Sequence, residues 1–116
     1  MTEKRLTANR RLAELLGWTE LFEVPGAILG TPPPGEPAGR NQGAVPDWTG
    51  DWRACGPLLA EHRMTLGGTV LDAVARCRSF EVAPGAAAFA AFDTDDAAVR
   101  AAIVAAVVAK LEAAQQ

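Results

Sequence analysis

Residues 45–62 bring together side chains whose chemistry could support a metal site, acid–base catalysis or a protein contact. The segment contains two aspartates, two tryptophans, a cysteine, a glutamate and the single histidine: Asp47, Asp51, Trp48, Trp52, Cys55, Glu61 and His62. Carboxylates and an imidazole can bind a metal ion or transfer protons, and a cysteine beside a base can act as a nucleophile. Whether these groups converge depends on the elements that carry them.

The spacing of these residues does not by itself predict convergence. Asp47 and Asp51 lie on either side of a turn. Glu61 and His62 are neighbours on a predicted helix and point in different directions. Cys55 has no adjacent base, and the sequence contains no P-loop, GxGxxG, GxSxG or HExxH motif. We therefore predict turn and cap roles for the aspartates and a surface or helix-end role for the histidine, with no catalytic residue, metal ligand or cofactor.

The two tryptophans of the segment are four residues apart across the predicted start of a helix. Packing in the core or against the helix cap is the first interpretation of Trp48 and Trp52. If they are exposed, they form a protein-contact surface, because tryptophan is enriched in interface hot spots. The predicted interaction surface consists of this pair together with Asp47 and Asp51.

Length, charge and composition indicate a single domain with neither a membrane nor a nucleic-acid partner. The chain has 116 residues and a net charge of −3. Its longest apolar run, residues 101–109, is far shorter than the ~20 residues of a membrane span. The first residues lead into a charged helix and do not resemble a signal peptide. Two cysteines, Cys55 and Cys77, form neither a disulfide framework nor a zinc-binding spacing. We expect one domain over residues 1–116, located in the cytoplasm.

The N-terminal part of the chain predicts a helix followed by two short extended segments. Residues 3–16 place apolar side chains at helical spacing. Gly17 suits the left-handed position that ends a helix, and Trp18 is placed to pack back on the last turn. Residues 20–24 and 27–30 flank a Pro-Gly turn signal and read as short strands.

A loop rich in proline and glycine, residues 31–46, precedes a second predicted helix over residues 49–64. Prolines fix φ and lack an N–H donor, which disfavours a helix or a central strand in the loop. The helix carries an apolar stripe, and Thr49 or Asp51 can cap its first turn. A Gly-Pro pair in its middle predicts a kink, or a first turn followed by a restart.

The pattern changes to alternation in the next segment. Residues 74–83 and 86–92 flank a Pro-Gly pair and predict a β-hairpin. The Gly-Gly pair at 67–68 reads as a turn, and a helix over residues 69–76 is the competing interpretation.

Residues 94–114 predict the last helix. Asp93 or Thr94 can cap it, and its alanine- and valine-rich faces indicate burial against a sheet or a second subunit. The elements together predict an α+β fold with two or three helices on a small antiparallel sheet.

Three short motifs resemble the phage ABA sandwich domain, a family of small phage and prophage proteins. They are the helix–Gly–Trp motif NRRLAELLGW at residues 9–18, the turn VPDWTGD at residues 45–51, and the start of the closing helix, FDTDDAAVRAA, at residues 92–102. The resemblance implies an α-β-α sandwich, an origin in a phage or prophage, and the host cytoplasm as its location. It implies no reaction.

Three functional hypotheses follow. The preferred one is a phage-encoded accessory protein without enzymatic activity, which binds a host or phage protein through residues 31–52, including Trp48 and Trp52. The alternatives are a small-ligand or metal-dependent enzyme that uses the 47–62 segment, and a homo-oligomeric structural component that dimerises through the 94–114 helix.

Overall fold

The computed structural model of the chain describes residues 2–33, 43–69, 71–77, 85–92 and 94–115. In chain order, the elements are α1 (Thr2–Leu16), β1 (Thr19–Val24), β2 (Ala27–Thr31), β3 (Gly43–Ala44), α2 (Trp52–Glu61), β4 (Met64–Gly68), β5 (Asp72–Cys77), β6 (Gly85–Ala88), a 3-10 turn (Phe89–Ala91) and α3 (Asp95–Ala114). The described residues therefore form three helices and two antiparallel three-stranded sheets, which confirms the predicted α+β class. Two small sheets take the place of the single one that was predicted.

Helix α1 ends as its sequence predicts. Gly17 has a φ of +104°, a left-handed conformation that glycine adopts without strain. The Gly17 N–H donates to the Glu14 carbonyl at 3.2 Å, and the Trp18 N–H donates to the Ala13 carbonyl at 3.0 Å. This pair of bonds is the Schellman motif, and it satisfies carbonyls that the end of a helix otherwise leaves without a partner.

The N-terminal sheet has the strand order β1-β2-β3. The predicted strands pair through a tight turn in which Gly26 has a φ of +78°. The prediction of a loop over residues 31–46 is wrong at two places. Thr31 is the last residue of β2, and residues 43–44 form strand β3, which pairs with β2. Residues 34–42 of that loop lie outside the described part of the chain.

Helix α2 is shorter than predicted and runs without a restart. The 45–51 turn precedes it, and Asp51 caps it by accepting a hydrogen bond from the Arg53 N–H at 3.0 Å. Pro57 lies inside the continuous helix, where its missing N–H removes one hydrogen bond. The helix stops at His62 because the next residue, Arg63, has a left-handed φ of 49°.

The C-terminal sheet has the order β4-β5-β6 and contains a strand that the sequence did not predict. The Gly-Gly pair at 67–68 belongs to β4, where it pairs with Val74 and Ala73, so the predicted turn is wrong. The competing interpretation of a helix over residues 69–76 is also wrong, because residues 72–77 form strand β5. The predicted hairpin pairing is present between β5 and β6, although residues 78–84 lie outside the described residues and the 3-10 turn replaces the last part of the second strand.

Helix α3 forms the centre of the molecule. The Thr94 side chain caps it by accepting from the Ala97 N–H at 3.1 Å, while Asp93 lies outside the described residues. Its fully or nearly fully buried residues are Ala98, Ala102, Ile103, Val104, Ala106 and Val107. The helix packs on β5, β6, α1 and α2, so the sheet of the same chain covers the apolar faces. This burial leaves little apolar surface for the predicted dimer contact through residues 94–114. Among the described helices, none has the length and apolarity to span a membrane.

Candidate functional site

The 45–51 turn is fixed to helix α1 by a buried amide. The Asn9 side chain is only 3% exposed and lies on the same helix face as Leu12 and Ala13. Its Nδ2 donates to Asp47 Oδ1 at 2.8 Å, and its Oδ1 accepts from the Thr49 N–H at 3.1 Å. Both polar atoms of this side chain therefore hold the turn. The sequence signal for this role was a polar residue within the apolar stripe of the first helix.

Helix α3 holds the same turn from another direction. The Arg100 Nε donates to the Thr49 carbonyl at 3.0 Å, and its guanidinium carbon lies 5.4 Å from the ring centroid of Trp52. The latter distance is within the range of a cation–π interaction. Arg100 is 51 residues from its hydrogen-bond partner, so no local sequence pattern revealed this contact.

The two tryptophans of the predicted surface have different environments. Trp48 is 5% exposed and packs in the core, whereas Trp52 is 38% exposed. The helix begins only at Trp52, so the spacing of four residues does not place the two rings on one helix face. Trp48 thus takes the packing role, and Trp52 remains as the exposed aromatic residue of the predicted surface.

Both aspartates of the predicted surface are exposed. Asp47 accepts hydrogen bonds from Asn9 and, at 3.4 Å, from the Thr49 hydroxyl. Asp51 is the helix cap described above. These are the turn and cap roles predicted for the pair, and both residues remain exposed.

His62 lies at the opposite end of helix α2 from Asp51. The eleven residue steps from Asp51 to His62 correspond to about 16 Å along the helix, so the two side chains cannot share a metal ion or a small substrate. The Lys110 ammonium lies 3.1 Å from His62 Nδ1, which can accept its hydrogen bond when the imidazole is neutral. Burial, and then the charge of Lys110, lower the pKa of His62 below its ordinary value, with Glu61 acting in the opposite direction. Within the described residues, no three His, Cys, Asp or Glu side chains form a group that could hold a metal ion.

Both cysteines are buried thiols. Burial raises the pKa of Cys55 to about 11, against an opposing effect of the Arg100 charge. Burial also raises the pKa of Cys77, against the opposing charge of Lys110. Because the thiolate is the nucleophilic form, neither environment activates its cysteine.

A small cavity lies beneath the turn, between helix α1 and strand β2. Its volume is ≈ 120 Å³, and it is lined by Leu6, Asn9, Gly26, Ala27, Ile28, Val45 and Asp47. The two polar side chains in this lining already hydrogen-bond to each other. The cavity therefore presents mainly apolar surface.

Comparison of the chain with protein-family models, with curated proteins and with solved structures finds no match.

Proposed function

We propose that this chain is a protein-binding module without enzymatic activity, and that Trp52 with the exposed Asp47 and Asp51 is its contact surface. The observation that carries the proposal is the state of the Trp52 ring. It is 38% exposed, yet it is held against Arg100 on a different helix. Tryptophan is among the residues that contribute most to binding when a partner covers them.

The contacts that hold the 45–51 turn in place favour high binding affinity. Asn9 and Arg100 fix the backbone of Thr49, and Asp51 fixes the start of the helix that carries Trp52. A surface held in place before binding loses less conformational entropy when a partner docks. A mobile tryptophan would lack this advantage.

The charges of the turn favour one kind of partner surface. Asp47 and Asp51 are exposed, Asp51 directly precedes Trp52 in the chain, and the chain carries a net charge of −3. The complementary surface is an apolar recess for the indole, bordered by basic groups that pair with the carboxylates. A protein fits this description better than a nucleic acid, whose backbone would be repelled.

The resemblance to the phage ABA sandwich domain supports a phage or prophage origin and a host or phage protein as the partner, in the host cytoplasm. The enzyme alternative has less support, because helix α2 separates Asp51 from His62 and both thiols are buried. The alternative of a dimer through residues 94–114 has less support because those apolar faces are covered within the chain.

The test is an affinity capture with the tagged full chain, from host lysate with and without phage infection, quantified by mass spectrometry. The baits are the wild type, Trp52→Ala and Phe22→Ala. Phe22 is the matched control, because it is an aromatic residue on β1 with nearly the same exposure, 39%. Thermal melts establish that each bait is folded.

We expect a stoichiometric partner that is retained by the Phe22→Ala bait and lost from the Trp52→Ala bait. Trp52→Phe is expected to retain part of the binding, because it keeps an aromatic anchor. Capture of the same proteins in the same amounts by folded Trp52→Ala and by the wild type would overturn the proposal.

A further inference from the structure

The C-terminal sheet has one covered face and one open face. Along β5, Ala73, Ala75 and Cys77 are buried on the side that packs against α3. The alternate residues point to the opposite face, where Asp72 and Arg76 are exposed and Val74 is half-buried. The strand therefore presents an acidic, an apolar and a basic side chain in a row.

The open face is flat because the residues around Val74 are small. Gly67 of β4 and Ala86 of β6 are its register neighbours. Thr65 pairs with Arg76, and Ala88 pairs with Asp72. All four neighbours are exposed. A shallow hollow of ≈ 330 Å³ lies over the β4 side of this face. Around Val74 the described neighbours are small enough for a second sheet to approach to the usual spacing of about 10 Å.

The two charged residues of the face have no ion-pair partner within the described part of the chain. They are four strand residues apart, about 13 Å, which is too far for a salt bridge with each other. The face consequently carries a positive charge at one end and a negative charge at the other. Such a pattern is complementary to itself after a rotation of 180°.

We propose that this face binds the same face of a second copy of the chain, about a two-fold axis that crosses the strands near Val74. The rotation reverses the strand direction, so Asp72 lies opposite Arg76 of the second copy, and Arg76 lies opposite its Asp72. The same contact then occurs twice, as in every isologous interface. At a sheet spacing of about 10 Å, the combined reach of an aspartate and an arginine spans the gap.

The charges also select this arrangement against its nearest competitor. A two-fold axis parallel to the strands would place Asp72 opposite Asp72 and Arg76 opposite Arg76. Like charges in such positions repel and disfavour the wrong register. Val74 and its small neighbours supply apolar contact in both arrangements, so the charges decide between them.

The size of the face predicts a weak dimer that depends on concentration. Three strands of about five residues cover roughly 14 by 17 Å, which is well below the ~800 Å² per partner of a standard interface. The proposal is independent of the Trp52 surface, so Trp52→Ala is expected to leave self-association unchanged.

Charge exchange tests the proposal by sedimentation equilibrium at low salt, from micromolar to millimolar concentration. Asp72→Arg leaves only basic charges on the described part of the face, and Arg76→Asp leaves only acidic ones. We expect each single variant to self-associate about tenfold or more weakly than the wild type, since two attractive pairs become repulsive. The double variant D72R/R76D is expected to recover association within about threefold, because the exchanged charges are again complementary.

Mixing provides the second arm of the test. An equimolar mixture of the two single variants should form a heterodimer that neither variant forms alone. Arg53→Asp is the control. It changes the net charge of the chain as much as Arg76→Asp does, but Arg53 is an exposed residue of α2 and lies outside the sheet face. This control should self-associate like the wild type, and melting curves should be alike for all variants.

Several results would overturn the proposal. They are a wild type that stays monomeric at the highest concentration, single variants that associate as the wild type does, or a mixture without heterodimer. A dimer that is lost on Leu66→Lys but insensitive to both charge reversals would also overturn it. Leu66 is 47% exposed on the edge strand β4, so that result would indicate pairing of strand edges in place of sheet faces.

Discussion

The two ends of helix α2 are held in different ways. At its start, side chains from two other helices fix the backbone of one turn through hydrogen bonds, and Trp48 anchors the same turn in the core. At its end, Leu58 is buried in the core, and the side-chain hydrogen bond found there among the described residues joins Lys110 to the neutral imidazole of His62. The same helix therefore has one end where side-chain hydrogen bonds from two other helices fix the backbone, and one end where the side-chain hydrogen bond depends on the protonation state of His62.

This difference bears on where a binding surface can lie. The exposed ring of Trp52 is at the firmly held end, where docking requires little reordering. The end at His62 has a perturbed side chain, which on its own is a frequent sign of a functional site. Here the lowered pKa of His62 follows from burial and from the charge of Lys110, and the described residues form no metal-binding group around it. Rigidity of an exposed aromatic residue is the more informative sign in this chain.

The largest expected effect on stability is the difference between replacing Trp48 and replacing Trp52, the two tryptophans at the start of α2. Trp48→Ala removes a buried ring and leaves a cavity, so we expect a loss of about 3–5 kcal/mol in the free energy of unfolding. Trp52→Ala removes a ring that is 38% exposed, and we expect a smaller loss of about 1–2 kcal/mol from the lost cation–π contact and the partial burial of the ring. Urea unfolding of both variants measures the difference. Equal losses would contradict the separate roles assigned to the rings.

The next effect tests the amide that holds the turn. Asn9→Ala leaves the buried Thr49 N–H without its partner, and such a group costs about 2 kcal/mol. Glu14→Ala on the same helix is the control, because its ion pairs are exposed and should contribute less than about 0.5 kcal/mol. Urea unfolding compares the two variants. A similar loss in both would mean that the amide network does not stabilise the turn.

The elements that were predicted correctly are those with local signals. Helix α1 ends at Gly17 because glycine alone takes a left-handed conformation without strain, and α3 begins after the cap at Thr94. The cap role of Asp51 also follows from local chemistry, because its side chain accepts a hydrogen bond from the Arg53 N–H two residues on. In each case the cause lies within a few residues of the effect.

The features that were missed depend on distant partners. Gly67 and Gly68 read as a turn, yet they form a strand because β5 supplies the hydrogen bonds. Arg100 and Asn9 reach Thr49 across 51 and 40 residues. Whether Trp48 and Trp52 lie on one helix face depends on the residue at which α2 begins. Helix boundaries are the part of a helix that a sequence pattern predicts least well. Tertiary contacts, and not the residue types, therefore decided which half of the predicted surface is exposed.

The smallest expected effect belongs to the other end of α2 and depends on pH. Burial and Lys110 lower the pKa of His62 in the folded chain below the value of about 6.5 in the unfolded chain. Above pH 6.5 the imidazole is neutral in both states, and its contribution to stability is fully present. As the pH falls from 6.5 through the lowered pKa, the unfolded chain binds a proton that the folded chain resists, so stability decreases.

Lys110 contributes to this loss of stability at low pH. A protonated His62 can no longer accept the Lys110 hydrogen bond and meets a like charge at 3.1 Å. The measurement is urea unfolding between pH 5 and 7.5 for the wild type and for His62→Gln, which cannot titrate. Carboxylates that titrate at the acidic end affect both proteins, so the difference between the two curves isolates the imidazole. We expect the wild type to lose stability relative to the variant only below about pH 6.5. A constant difference over this range would show that the end of α2 is insensitive to the charge of His62, and that its two ends are held more alike than the contacts indicate.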